Sequence, residues 1–167
     1  MEPVLAEAAK LALASGVRMV DPGAHELACA EVGVGHDEWF AALGRLRAEG
    51  LIQLATGEGS SVSLIALTNA GLLRHLAASR PDLGDLDRRL AAAAAEAVGV
   101  GPVDLAGNVG EPALLVECLL DRWVIERRVV YSAAPGRRFR IHKLLPGTAA
   151  PAAEAAAGEA APTAAQP

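Results

Sequence analysis

The sequence predicts a mainly α protein with small β-hairpins, an α+β fold in which a helix-turn-helix followed by a hairpin occurs twice and a disordered tail closes the chain. Three observations predict it. Short segments with apolar residues at helical spacing meet at glycine-containing turns. Each pair of such segments runs into two strand-like stretches around a turn, Thr56-Gly57-Glu58-Gly59-Ser60 in one case and Ala133-Ala134-Pro135-Gly136 in the other. From Pro146 onward no aliphatic residue larger than alanine occurs.

The first unit is expected over residues 1–80. A helix of about His25 to Glu31 stops at Gly33-Val34-Gly35, because glycine tolerates the backbone angles of a sharp reversal. A second helix starts near Asp37, whose carboxylate is placed to cap its first N–H groups, and Trp39, Phe40, Leu43 and Leu46 recur at the spacing that packs inward. Gly50 ends it. Leu51 to Leu54 and Val62 to Leu67 then read as two strands, and Thr68 is positioned to cap the helix that follows.

Two runs in this unit carry a family likeness: Leu-Gly-Arg-Leu-Arg-Ala-Glu-Gly-Leu-Ile from Leu43 to Ile52, and Leu-Thr-Asn-Ala-Gly from Leu67 to Gly71. The segment from about Leu5 to Leu76 resembles the winged-helix domains of bacterial transcriptional regulators. Its first run is similar to the recognition-helix end of the GntR family, and its second to the matching point of MarR-type regulators. Ala28-Cys29 stands where those families commonly carry Leu-Ala. The resemblance implies a winged helix that binds double-stranded DNA in transcription regulation, and a homodimer, since such regulators usually pair.

The plan then recurs. Pro81 to Gly84 breaks the chain, and Asp85 to Val98 reads as a helix within a linker over 81–101. After Gly99-Val100-Gly101-Pro102, a second winged-helix-like unit is expected over 102–145. It has a short helix and turn at Val103 to Gly110, and a longer helix from Glu111 or Pro112 to about Glu126. Proline suits the first helical position, and Leu115, Val116, Cys118, Leu119, Leu120 and Trp123 form a broad apolar face. Arg128 to Ser132 and Arg138 to Leu144 read as its hairpin. The tail, 146–167, cannot bury enough surface to offset its ordering entropy and is expected to be disordered.

Composition points to a cytoplasmic protein without a membrane partner. The hydrophobic fraction is 52%, but alanine supplies much of it, and no uncharged apolar stretch approaches the roughly 20 residues that span a bilayer. The N-terminal Met-Glu-Pro-Val lacks the basic region of a secretory signal. Cys29 and Cys118 fall in helices of different units, which suits two buried thiols in a reducing compartment rather than a disulfide. His25 and Cys29 share a helix face, yet the ligand spacing of a zinc motif is absent, and no phosphate loop or nucleophile elbow occurs. No enzyme activity, cofactor or metal is expected.

Charge distribution then selects candidate contacts. The net charge is −5, whereas phosphate binding favours a concentrated basic face. In the first unit the second helix opens His36-Asp37-Glu38, which disfavours DNA, and only Arg45 and Arg47 lie further along it. The second unit carries Arg127, Arg128, Arg137, Arg138, Arg140, His142 and Lys143 with no acidic residue between 127 and 143. Strand alternation places Arg138, Arg140 and His142 on one face and Phe139 and Ile141 on the other. The competing reading is that these cations pair with Glu117, Asp121 or Glu126. The neighbouring helix is expected to expose Glu111, Glu117 and Asp121, so the wing would lead any DNA contact. The residues assigned to nucleic acid are Arg137, Arg138, Arg140 and Lys143, with Arg45 and Arg47 adding contacts from the first unit. The alternative function is a winged-helix module that binds a protein partner and not DNA.

Overall fold

The computed structural model describes residues 3–57, 61–96, 99–132 and 140–145. These residues are mainly helical, with two small antiparallel sheets. The first half runs α1 (Pro3–Ser15), β1 (Met19–Val20), α2 (Pro22–Glu31), α3 (His36–Ala48), β2 (Ile52–Thr56), β3 (Val62–Leu67) and α4 (Asn69–Ser79). β3 is the central strand of its sheet, with β1 and β2 antiparallel on either side. Small side chains on α1, Ala8, Ala9 and Ala12, are fully buried beside Val4 and Leu5, so α2, α3 and α4 can pack close to this helix.

Each turn of the first half has a local chemical cause. Asp21 caps α2 by accepting from the Ala24 N–H at 2.8 Å, and Pro22 begins the helix. Gly33, at φ 84°, ends α2, with the Val34 N–H returning to Cys29 O at 3.0 Å. The cap of α3 is Gly35 rather than Asp37, because the helix starts one residue earlier than the sequence suggests; Asp37 lies inside its first turn. Phe40 also departs from expectation. Trp39, Ala42, Leu43 and Leu46 fill the inward stripe of α3, which leaves Phe40 on the other side and 51% exposed.

The junction between hairpin and α4 explains the Leu-Thr-Asn-Ala-Gly run. The Thr68 N–H donates to Leu51 O at 3.0 Å, and its hydroxyl lies 2.8 Å from Gly50 O and accepts from the Gly71 N–H at 3.1 Å. This brings α4 so close to the hairpin that a Cβ at position 71 would sit 2.1 Å from Leu51 O. Only glycine fits there.

The second half runs α5 (Leu83–Glu96), α6 (Pro102–Val109), α7 (Ala113–Ile125), β4 (Val129–Ser132) and β5 (Arg140–Leu144). Val100 bridges antiparallel to Ile141 of β5, whose other neighbour is β4. A helix, two further helices and a hairpin therefore follow one another in both halves, and the segment after the first helix meets the last strand each time, as the two-residue strand β1 in the first half and as the single bridge at Val100 in the second. Matching turns recur too. Gly110, at φ 71°, ends α6 as Gly33 ends α2, and the Glu111 N–H returns to Ala106 O at 3.1 Å. α3 ends at Gly50, φ 72°; α7 ends at Arg127, which adopts φ 56°. Pro112 stands one residue before α7 rather than at its first position. Val98, the tail 146–167 and residues 58–60 of the first hairpin tip lie outside the described residues.

Asp87 of α5 gathers the second half. Its Oδ1 accepts from Arg122 at 2.6 Å and from the Trp123 indole N–H at 2.7 Å, and its Oδ2 from Arg128 at 3.0 Å. The Arg128 guanidinium lies 4.9 Å from the Trp123 ring centroid. The two halves meet where α4 packs on α7: Asn69 reaches Cys118 O at 3.4 Å, and Arg18 bonds to Asn69 at 2.9 Å and to Asp121 at 3.1 Å. One apolar core runs from Val4 to Ile141.

Two substitutions test these contacts. Gly71→Ala should lose about 2 kcal/mol of stability in urea unfolding, because overpacking against backbone outweighs the propensity gain of alanine; an unchanged or raised midpoint would contradict the close approach. Asp87→Ala leaves Arg122 and Arg128 with Glu126 alone of their two carboxylate partners and removes the acceptor of the Trp123 indole N–H, and should lose about 2 kcal/mol with a changed Trp123 emission. A loss indistinguishable from a surface substitution would show that Asp87 is not the hub.

Candidate functional site

α3 buries one stripe and keeps the opposite face in solvent. Its inner stripe is fixed by Trp39, whose indole N–H donates to Nδ1 of the buried His25 at 3.2 Å. Indole nitrogen is only a donor, so Nδ1 must accept, and the ring proton therefore sits on Nε2, which donates to Val4 O at 2.8 Å. Both ring nitrogens are thus used, which leaves none for a metal, and Cys29 Sγ rests 3.5 Å from Nε2. Burial pushes the Cys29 thiol up to about 11, consistent with an inert core side chain.

The outward face of α3 consists of Asp37, Phe40, Ala41, Gly44, Arg47 and Ala48, all exposed and recurring at three- and four-residue spacing. Its first turn is acidic, with Asp37 and Glu38, and its last turn basic, with Arg45 and Arg47, which suits the helix dipole. At its start His36 bonds to Glu26 at 2.6 Å, and that bond raises the pKa of the exposed imidazole. Leu27 and Val32, at the surface of α2, are exposed as well.

α7 holds the corresponding place in the second half but is enclosed. Leu114, Leu115, Val116, Cys118, Leu119, Leu120 and Trp123 are all buried, which is more than one stripe of a helix. Of the acids expected at its surface, Glu117 and Asp121 face Arg18 at 3.6 and 3.1 Å, and Glu111 is only 12% exposed in its side chain, held by Arg80 at 2.8 Å. Burial raises the Asp121 pKa against the opposing effect of Arg18. Asp121 and Glu117 also line a cleft of about 310 Å³ with Gly101, Pro102, Val103, Asp104 and Ala113.

The basic residues divide between the halves. Arg45 and Arg47 lie on α3, which packs on α1, α2 and β2, whereas Arg140 and Lys143 lie on β5, which packs on β4 and α5. Arg137 and Arg138, with Phe139, lie outside the described residues. Arg140 donates to Gly99 O, His142 bonds to the Ser132 hydroxyl at 2.7 Å, and Lys143 is exposed opposite Val130. Arg128 serves Asp87 and Glu126. The competing reading of internal pairing therefore holds for Arg128, with Asp87 as a partner that spacing did not suggest.

Two buried imidazoles set a pH dependence. Burial lowers the pKa of His25 below the ordinary 6.5, against the bond to Val4 and the charge of Glu7. Burial likewise lowers that of His75, with Lys10 adding to the effect and Glu7 opposing it. The unfolded chain takes up protons near that pH that the native chain refuses, so the stability contributed is complete above pH 6.5 and is lost as the pH falls below it. His36 is shifted the other way but is exposed. The urea midpoint should hold from about pH 8 to about pH 7 and fall towards about pH 5; a midpoint that rises on acidification would contradict the neutral core histidines.

No protein-family model, curated protein or solved structure matches this chain.

Proposed function

We propose that this chain is a non-enzymatic tandem winged-helix protein that binds another protein through the outward face of α3. The repeated order of three helices and a hairpin, with a short strand after the first helix in one half and a single bridge at Val100 in the other, supports the winged-helix reading. The observation that carries the choice of partner is the chemistry of the two helices that would enter a groove. α3 offers Asp37, Phe40, Ala41 and Gly44, with Arg47 as the one cation of that face, where base and phosphate contacts need cations and hydrogen-bond donors, and α7 has most of its surface buried in the core. An exposed aromatic beside small residues suits a protein surface better.

DNA-binding transcription regulation is the second reading, supported by Arg127. Its positive φ is a conformation that costs a non-glycine residue about 1–2 kcal/mol, and the equivalent turn after α3 uses glycine. An exposed cation kept at that cost at the entry to the hairpin segment that also carries Arg137, Arg138, Arg140 and Lys143 favours an anionic partner for the second hairpin. In that reading the hairpin holds phosphates and Arg45 or Arg47 adds contacts.

Fluorescence anisotropy of the full chain with a mixed-sequence duplex decides between them. The protein-binding reading expects no saturable binding even at low salt. Saturable binding that weakens steeply with salt, and that Arg137→Ala with Arg138→Ala reduces across all sequences, would replace it with the regulator.

A further inference from the structure

Gly44 stands in the middle of α3, where glycine is destabilising relative to alanine. Among the described residues nothing requires it there: a Cβ at position 44 would meet none of their atoms within 4 Å, and the backbone is ordinary helix. This contrasts with Gly71, where the neighbouring carbonyl demands glycine. The notch at Gly44 is open to solvent, one helical turn from Phe40, a large aromatic left 51% exposed. A projecting aromatic and an empty notch on one face are complementary shapes, and they lie on the same helix.

Charge on that face has the same complementarity. Asp37 lies one turn before Phe40, and Arg47 nearly one turn after Gly44. Reversing the direction of the helix exchanges each member of these pairs: Phe40 falls opposite Gly44, and Asp37 opposite Arg47, about a single centre at position 42. A two-fold contact joins a surface to itself, so it needs a face whose features complement their own reversal.

We infer that the occupant of the α3 face is a second copy of this chain, docked with the two α3 helices antiparallel, each Phe40 over the partner's Gly44, and each Asp37 paired with the partner's Arg47. This rests on the protein-binding reading of α3 and names its partner. Two symmetric ion pairs close the ends of the contact, and the small Ala41 and Ala48 let the helices approach. The arrangement covers the surface that a groove-reading helix would need, so dimer and sequence readout by α3 exclude one another.

Sedimentation velocity of the full chain over a hundredfold range of concentration tests it, with circular dichroism to verify folding of each variant. The wild type should shift from monomer towards dimer as concentration rises. Gly44→Leu, which fills the notch with a residue that favours helix, should fold and remain monomeric, as should Phe40→Asp. Asp37→Arg and Arg47→Asp, each placing like charges together, should weaken association about tenfold, and the double reversal should restore it. A wild type that stays monomeric throughout overturns the dimer alone, since a different protein could still occupy α3. Dimers that survive Gly44→Leu and Phe40→Asp, or single reversals that the double does not rescue, also overturn it. Salt-sensitive duplex binding lost in Phe40→Asp would instead remove the protein-binding reading itself.

Discussion

The structure depends on the need to cover most of the surface of α7. A helix with one apolar stripe is content against one neighbour, but Leu114, Leu115, Val116, Cys118, Leu119, Leu120 and Trp123 occupy about two-thirds of the circumference of this one, leaving the side of Glu117 and Asp121 open. Its own half supplies α6 and β4, and α5 reaches it through Asp87. The rest of the buried surface is closed by the first half, through α4 and through Arg18 at the start of β1. Neither half could shed the other without exposing that surface to water. Asn69 and Cys118, each bonding to the other's backbone carbonyl, mark the seam.

From that constraint follows a division of labour between two copies of one plan. Each half anchors a tryptophan of its second turn-helix by an indole hydrogen bond, Trp39 to His25 and Trp123 to Asp87. In the first half the anchored helix keeps one face in solvent, and in the second it has become core. A protein built this way leaves one face of α3 in solvent and commits α7 to holding the halves together. The remaining cations follow suit: Arg18, Arg80, Arg122 and Arg128 are drawn into ion pairs between elements, which consumes much of the positive charge that a nucleic-acid surface would display.

Much of the local structure was legible in the sequence because short-range chemistry decides it. Thr68 as a cap, the turns at Gly33 and Gly50, and the strand from Val62 to Leu67 each follow from the residue's own donors, acceptors or allowed angles. Phe40 reads as an inward residue on hydrophobicity but lies out of phase: it adjoins Trp39, and two neighbours on a helix cannot both face inward when Ala42, Leu43 and Leu46 complete the stripe with the tryptophan. The roles of Asp87 and Arg18 were invisible for a different reason. Their partners lie 35 to 41 residues away for Asp87 and as many as 103 for Arg18, and no spacing rule reaches that far. The same holds for Val100, which reads as punctuation in the sequence and forms a single antiparallel bridge to Ile141 beside the second sheet.

Native-state hydrogen exchange of the full chain, resolved by segment, tests the shared covering of α7 most directly. Core amides of α4 and α7 should exchange only through the same global opening, with equal free energies and equal denaturant dependence. Exchange in α7 through a separate opening of lower free energy, with α1 and α4 still protected, would contradict it and describe two halves that merely touch.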